Sequence, residues 1–182
     1  MRTTLTTLTI LLALVVAGCG DDGKVREMDA ALRATVQQAK RPAFVTADTE
    51  GTRLWKQTRQ FYEKRGFTPA WIDGTKPRPE IQALTEALRE AANEGLNPEL
   101  YNVTVLEQRL AEASKGFLTK KGFDPKEAGL LDVWLTYLYM KVASDLADGL
   151  SDLASADPSW QIAPEKFVAL AHLEGALAQG RI

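Results

Sequence analysis

The run from Lys126 to Gly149, KEAGLLDVWLTYLYMKVASDLADG, limits what this chain can become more than any other stretch. Wound as a helix, it places Leu130, Leu131, Val133, Trp134, Leu135, Tyr137, Leu138, Tyr139, Met140, Val142 and Leu146 on nearly every side rather than along one stripe. A helix that is apolar almost all round must be buried on most sides. Asp132, Thr136 and Lys141 interrupt the run, and a bilayer span needs about 20 mostly apolar residues, so a membrane helix is the poorer reading. The run predicts a central core helix over about 126–149, with amphipathic helices packed around it.

Its flanks fit. Asp124 suits an N-cap, Pro125 a first helical residue and Gly149 a stop. Upstream, Gly20 to Gly23 reads as a polar tether, and Val25, Met28, Leu32 and Val36 predict a helix over 24–40 that Arg41-Pro42 ends. A second helix is expected over about 52–65, with Leu54, Trp55, Phe61 and Tyr62 as its apolar residues and Gly66 as its cap. The stretch from Phe67 to Ile72 is extended, because Pro69 discourages helix, and Asp73-Gly74 is a turn. Pro79 opens a third helix carrying Ile81, Leu84, Leu88 and Ala91, closed by Gly95. Leu96 to Tyr101 is a loop or a single turn, and Val103, Leu106, Leu110 and Ala113 mark a fourth helix. Gly116 to Asp124 is a connection, and Ser151 to Gln161 an acidic loop. Pro164 starts a last helix with Phe167, Leu170, Leu173 and Leu177 at helical spacing, ended by Gly180. No strand pair and no internal repeat is evident, so the expected fold class is mainly α, a helical domain around one long central helix.

The first residues are an address. Arg2 precedes an apolar run from Leu8 to Ala17, and Val16-Ala17-Gly18-Cys19 follows. This is the pattern of a secretory signal, set apart from fold reasoning, and its ending resembles a bacterial lipobox. In such signals the cysteine is lipidated and becomes the new N-terminus. Cys19, the one cysteine of the chain, is therefore the expected lipidation site. Several acyl chains hold a protein stably at a membrane, each buried methylene contributing about 0.8 kcal/mol. The expected location is the cell envelope, on the periplasmic side. By resemblance to enterobacterial sorting signals, Gly20 after the cysteine implies the outer membrane over the inner. The organisation is then residues 1–18 as signal peptide, 19–51 as lipidated tether and N-terminal helix, and 52–182 as the helical domain.

Composition narrows the chemistry. Removing residues 1–18 leaves 21 basic and 24 acidic residues, a charge of −3. Nothing there makes a cationic surface for nucleic acid. One cysteine and one histidine exclude disulfides and most metal and thiol sites. His172, between Leu170 and Leu173, is expected to be structural. No phosphate loop or H-E-x-x-H run is present. The acidic run Asp145, Asp148, Asp152 and Asp157 lacks calcium-loop spacing and reads as a solvated helix end. Trp55, Trp71, Trp134 and Trp160 could stack on sugars, but buried anchors between helices are the preferred reading. No catalytic, metal or cofactor-binding residue is expected.

Three runs carry a resemblance. They are Phe61-Tyr-Glu-Lys-Arg-Gly-Phe-Thr-Pro-Ala-Trp71-Ile-Asp-Gly; Ala91-Ala-Asn-Glu-Gly-Leu-Asn-Pro-Glu-Leu-Tyr101; and Leu135 to Gly149 followed by Asp157-Pro-Ser-Trp160. In order and spacing they resemble the scaffold domain of periplasmic murein L,D-transpeptidases, over about Thr52 to Ile182. That resemblance implies a helical, non-catalytic module that packs against a separate catalytic domain. The family's chemistry belongs to a cysteine in a Ser-x-Gly-Cys-type run with a histidine upstream, and no such run occurs here. Two positions depart from the family's pattern. Ser144 stands where a basic residue is common, and Leu150-Ser151 where a basic-acidic pair follows the helix glycine.

The resemblance implies an envelope lipoprotein that docks or positions partners in peptidoglycan cross-linking or remodelling. Its expected partners are the membrane through the lipid, a transpeptidase catalytic domain or another cell-wall protein, and peptidoglycan itself. The alternative is the front part of a full cysteine L,D-transpeptidase whose peptidoglycan-binding and catalytic domains lie outside this sequence.

Overall fold

The computed structural model describes residues 19–118, 124–149 and 167–180. Among these residues are six α-helices: α1 (Cys19–Gln37), α2 (Thr49–Lys64), α3 (Glu80–Glu90), α4 (Val103–Leu118), α5 (Pro125–Asp148) and α6 (Ala169–Gln179). The class is mainly α, as the sequence implies. The signal segment, Phe123, the Ser151–Gln161 loop, Trp160 and Pro164 lie outside the described residues.

Helix α5 is the axis. Asp124 caps it, its carboxylate accepting from the Lys126 and Glu127 amides, and Pro125 takes the first turn, where a missing N–H costs nothing. Every residue from Leu131 to Val142 is buried. Helices α1, α2, α3, α4 and α6 all pack against it. The apolar residues from Leu131 to Val142 are thus accounted for by neighbours on every side, whereas Leu146, expected with them, is exposed.

Helix α1 begins at Cys19, so the expected tether over 20–23 is instead helical. Glycines 20 and 23 read as loop on propensity, but the helix continues through them. Met28, Leu32 and Val36 are buried on one face of α1. This helix comes unusually close to α5 at Gly129, where an added Cβ would sit 2.7 Å from the Met28 carbonyl oxygen and 2.9 Å from the Leu32 amide nitrogen.

Helix α2 starts three residues earlier than its apolar pattern suggests. The Asp48 carboxylate accepts the Gly51 N–H at 2.5 Å and the Thr46 hydroxyl at 3.1 Å, an N-cap that supplies an acceptor for a first-turn amide. At its other end Gly66 and Phe67 both adopt positive φ, 61° and 65°. The Arg33 guanidinium lies 4.1 Å from the Phe67 ring centroid and ties α1 to that turn.

A correction concerns strands. Ile72–Asp73 pairs antiparallel with Lys76–Pro77, in the register Ile72 with Pro77 and Asp73 with Lys76. Gly74, with φ at 58°, makes the two-residue turn. Two-residue strands leave no alternation to read, which is why periodicity missed them. The third and fourth helices follow their apolar spacing, with Leu84, Leu88, Val103 and Leu106 buried. Between them the Asn97 side chain caps a 3-10 turn, Pro98–Tyr101, that delivers Tyr101 into the core.

Candidate docking surface

The three polar interruptions of α5 are its anchoring points. Asp132 is fully buried. Its Oδ1 accepts from the Ala70 N–H at 2.9 Å and the Tyr62 hydroxyl at 2.7 Å, and its Oδ2 accepts from the Trp71 N–H at 2.9 Å. Thr136 Oγ1 accepts from the Trp71 indole N–H at 2.9 Å and lies 2.6 Å from the Tyr62 hydroxyl. The extended Ala70–Trp71 segment has no sheet partner for these amides, so a carboxylate from α5 serves as one.

Burial pushes the Asp132 carboxyl above its ordinary value, against the opposing pull of the Ala70, Tyr62 and Trp71 donors. Burial and the Asp132 charge likewise push the Tyr62 hydroxyl far up, so it stays a neutral donor. The raised carboxyl fixes a sign. Between the ordinary carboxyl value and the raised one, the folded chain holds a proton that the unfolded chain has lost, so this group's stabilising contribution is full in acid and declines as pH rises through the folded value. The urea midpoint of the native chain relative to Asp132→Asn should therefore fall as pH is raised across that window. A difference that grows with pH would contradict the sign.

Lys141 and Asp145 form a second buried set. Lys141 Nζ donates to Asp145 Oδ2 at 2.9 Å and the Tyr101 hydroxyl donates to the same oxygen at 2.8 Å. The lysine also lies 5.4 Å from the Tyr101 ring centroid. The expected solvated helix end is corrected here. Asp145 is buried, and Asp148 accepts the Phe167 N–H at 2.9 Å. Asp152 and Asp157 lie outside the described residues. The reason is tertiary. Lys141 is an i,i+4 neighbour of Asp145, but Tyr101 and Phe167, which also hold these carboxylates, come from outside the helix, and helix-end logic sees only one helix. Replacing Lys141 with Met keeps the volume but leaves Asp145 with Tyr101 alone. Urea unfolding should show a loss of about 2 kcal/mol, below the roughly 3–5 kcal/mol of breaking a buried pair because one donor survives.

Arg53, from α2, closes the far end. It pairs with Glu50 and donates to the Phe167 carbonyl and to Ser144 Oγ, both at 3.0 Å. The cation that the resemblance leads one to expect at position 144 is thus brought to Ser144 by a neighbouring helix. Glu50 raises the guanidinium's proton affinity by hydrogen bonding. His172 is exposed, with Nδ1 2.6 Å from the Tyr139 hydroxyl.

Trp55, Trp71 and Trp134 are buried anchors, 8%, 0% and 3% exposed. Trp134 also lines a groove of about 520 Å³ between the Gln38–Phe44 segment, α4 and α5. Phe44 stacks on Trp134 with centroids 5.8 Å apart and planes at 19°. The Arg109 guanidinium lies 5.5 Å from the Trp134 ring, held by the Glu127 carboxylate at 2.6 and 2.7 Å. Lys40, Arg41 and Val105 are exposed on the groove's walls. The sequence reading missed this surface. Arg41-Pro42 was legible as a helix stop, but nothing local tells the aromatic just beyond it that it will meet position 134.

Cys19 is the first residue of α1. Among the described residues, no three His, Cys, Asp or Glu side chains are grouped to hold a metal ion, and no helix is long and apolar enough to cross a membrane. A family model described as "Scaffold domain" matches residues 56–182. No curated protein and no solved structure matches the chain.

Proposed function

Because the chain belongs to the L,D-transpeptidase scaffold domain family, a non-catalytic family, we propose that it works as a docking and positioning module for peptidoglycan cross-linking or remodelling, held at the envelope by lipid on Cys19. The family match over residues 56–182 carries this reading. The rigid α5 axis supports it, since a helix fixed by buried polar clips to the Ala70–Trp71 segment and to Tyr101 presents its outer helices in a defined geometry. The lipobox-like Val16-Ala17-Gly18-Cys19 supports the anchor. The module's contribution would be placement. It would bury a surface against a transpeptidase catalytic domain or another cell-wall protein while the lipid confines both to one membrane face.

Two measurements test it. Cells expressing the chain are fed an alkyne fatty acid, and the native protein should incorporate it while Cys19→Ala should not. The chain is then cross-linked in intact cells and recovered with its partners. Recovery of a cysteine L,D-transpeptidase or another peptidoglycan enzyme is the expected result. An unlabelled native chain would end the lipoprotein reading. A cross-linked set without any cell-wall protein would end the scaffold reading.

A further inference from the structure

We propose that the groove between the Gln38–Phe44 segment, α4 and α5 receives an acidic segment of a partner protein, an apolar side chain of that segment seated against Val105 and Trp134 and its carboxylates on Lys40 and Arg41. This rests on the docking-module reading and gives it a surface and a chemistry.

Charge is the first argument. The chain carries a net −2, yet no acidic residue lines this groove. Lys40 and Arg41 stand exposed at its mouth. Neither belongs to any ion pair of the described residues. Arg109 is different, since Glu127 neutralises it and it serves as a wall over the indole. Two unpaired cations at a groove mouth favour an anionic occupant over a neutral one.

The groove wall is the second argument. Val105 is 47% exposed, an apolar side chain left in water on the groove's wall. Trp134 lines the groove beside it and is nearly buried. The shape is a cleft between two helices and a loop, which suits one anchor side chain with flanking charges. A lipid surface is the poorer occupant, since clusters of about four to eight Lys or Arg mark such surfaces.

The test uses the full chain in detergent and a short fluorescein-labelled peptide of Asp, Glu and Ser around a central Leu-Leu. Anisotropy should show saturable binding that weakens as salt rises. Lys40→Glu with Arg41→Glu should weaken it at least about tenfold, and Val105→Asp, on a second exposed wall position, should do the same. Both variants lie at exposed positions, and unchanged circular dichroism verifies their folds. A peptide with Gln and Asn in place of the acids should not bind. Absent binding, or binding indifferent to both variants, overturns the proposal. So does charge-sensitive binding of purified sacculi or of anionic phosphatidylglycerol vesicles in place of the peptide. Recovery of a peptidoglycan enzyme by the charge-reversed chain would sink the groove as the docking surface and leave the scaffold reading intact.

Discussion

Asp132→Ala should cost the domain about 4 kcal/mol, the summed penalty of two buried amide donors at about 1–3 kcal/mol each. The Ala70 and Trp71 amides would lose their acceptor in a site that water does not reach, while the Tyr62 hydroxyl keeps the backbone carbonyl of residue 132 at 2.8 Å and Thr136 Oγ1 at 2.6 Å. Total stability of a domain this size is about 5–15 kcal/mol, so the variant should sit close to unfolding at room temperature. Asp132→Asn is the instructive companion. It keeps one carbonyl oxygen and the side-chain volume, but turns an amide NH2 toward a backbone N–H or the tyrosine. Its loss should be about half as large, because one acceptor remains. Urea unfolding followed by circular dichroism measures both. A loss below about 1 kcal/mol for the alanine variant would mean that the Ala70–Trp71 segment finds other acceptors, and that the carboxylate is not what fixes it.

The second large effect is expected at Gly129. A side chain there cannot be accommodated by turning a neighbouring rotamer, because the nearest atoms are the Met28 carbonyl oxygen and the Leu32 amide nitrogen, both backbone. Gly129→Val must push α1 off α5. The residues that α1 then withdraws from the core are Met28, Leu32 and Val36, each contributing about 1.5–3 kcal/mol when fully buried. Overpacking alone costs about 1–3 kcal/mol, and partial release of these three residues raises the expected loss to about 4 kcal/mol. Hydrogen exchange locates it. Amides over 24–37 should lose protection while those of α5 beyond Leu135 keep most of theirs. Uniform loss across all helices would show that α1 and the rest unfold as one unit, and equal protection throughout would show that the close approach tolerates a side chain.

The sequence made the axis of this fold legible and left its fastenings obscure, for a physical reason. The extent of α5, its Asp124 cap, its Pro125 start and its burial on all sides are local properties, readable from apolar spacing and from residue types at helix ends. The inward faces of α3 and α4 are local in the same sense. What escaped are pairings across 44 to 74 positions, such as Tyr101 with Asp145 and Tyr62 with Thr136. Asp132, Thr136 and Lys141 were visible as breaks in an apolar run. Seen alone they weaken a core helix, and only the folded chain reveals the donors and acceptors that make them its anchors. The groove is obscure for the same reason. Phe44, Arg109 and Trp134 come from three separate stretches, and their stacking is a property of none of them.

Helix α1 has a consequence for reach. It runs 19 residues from Cys19, about 28 Å at 1.5 Å per residue, and its second half is packed into the core. An acyl group on Cys19 would therefore sit at the head of a stiff strut rather than at the end of a slack leash. A slack tether lets a domain sample any height and orientation its length permits, whereas a strut fixes the standoff from the bilayer and limits the angles at which the domain can lean. Inserting Gly-Ser residues between Cys19 and the rest of α1 would convert one regime into the other. It would alter which layer of the envelope the domain can touch without changing any contact inside it.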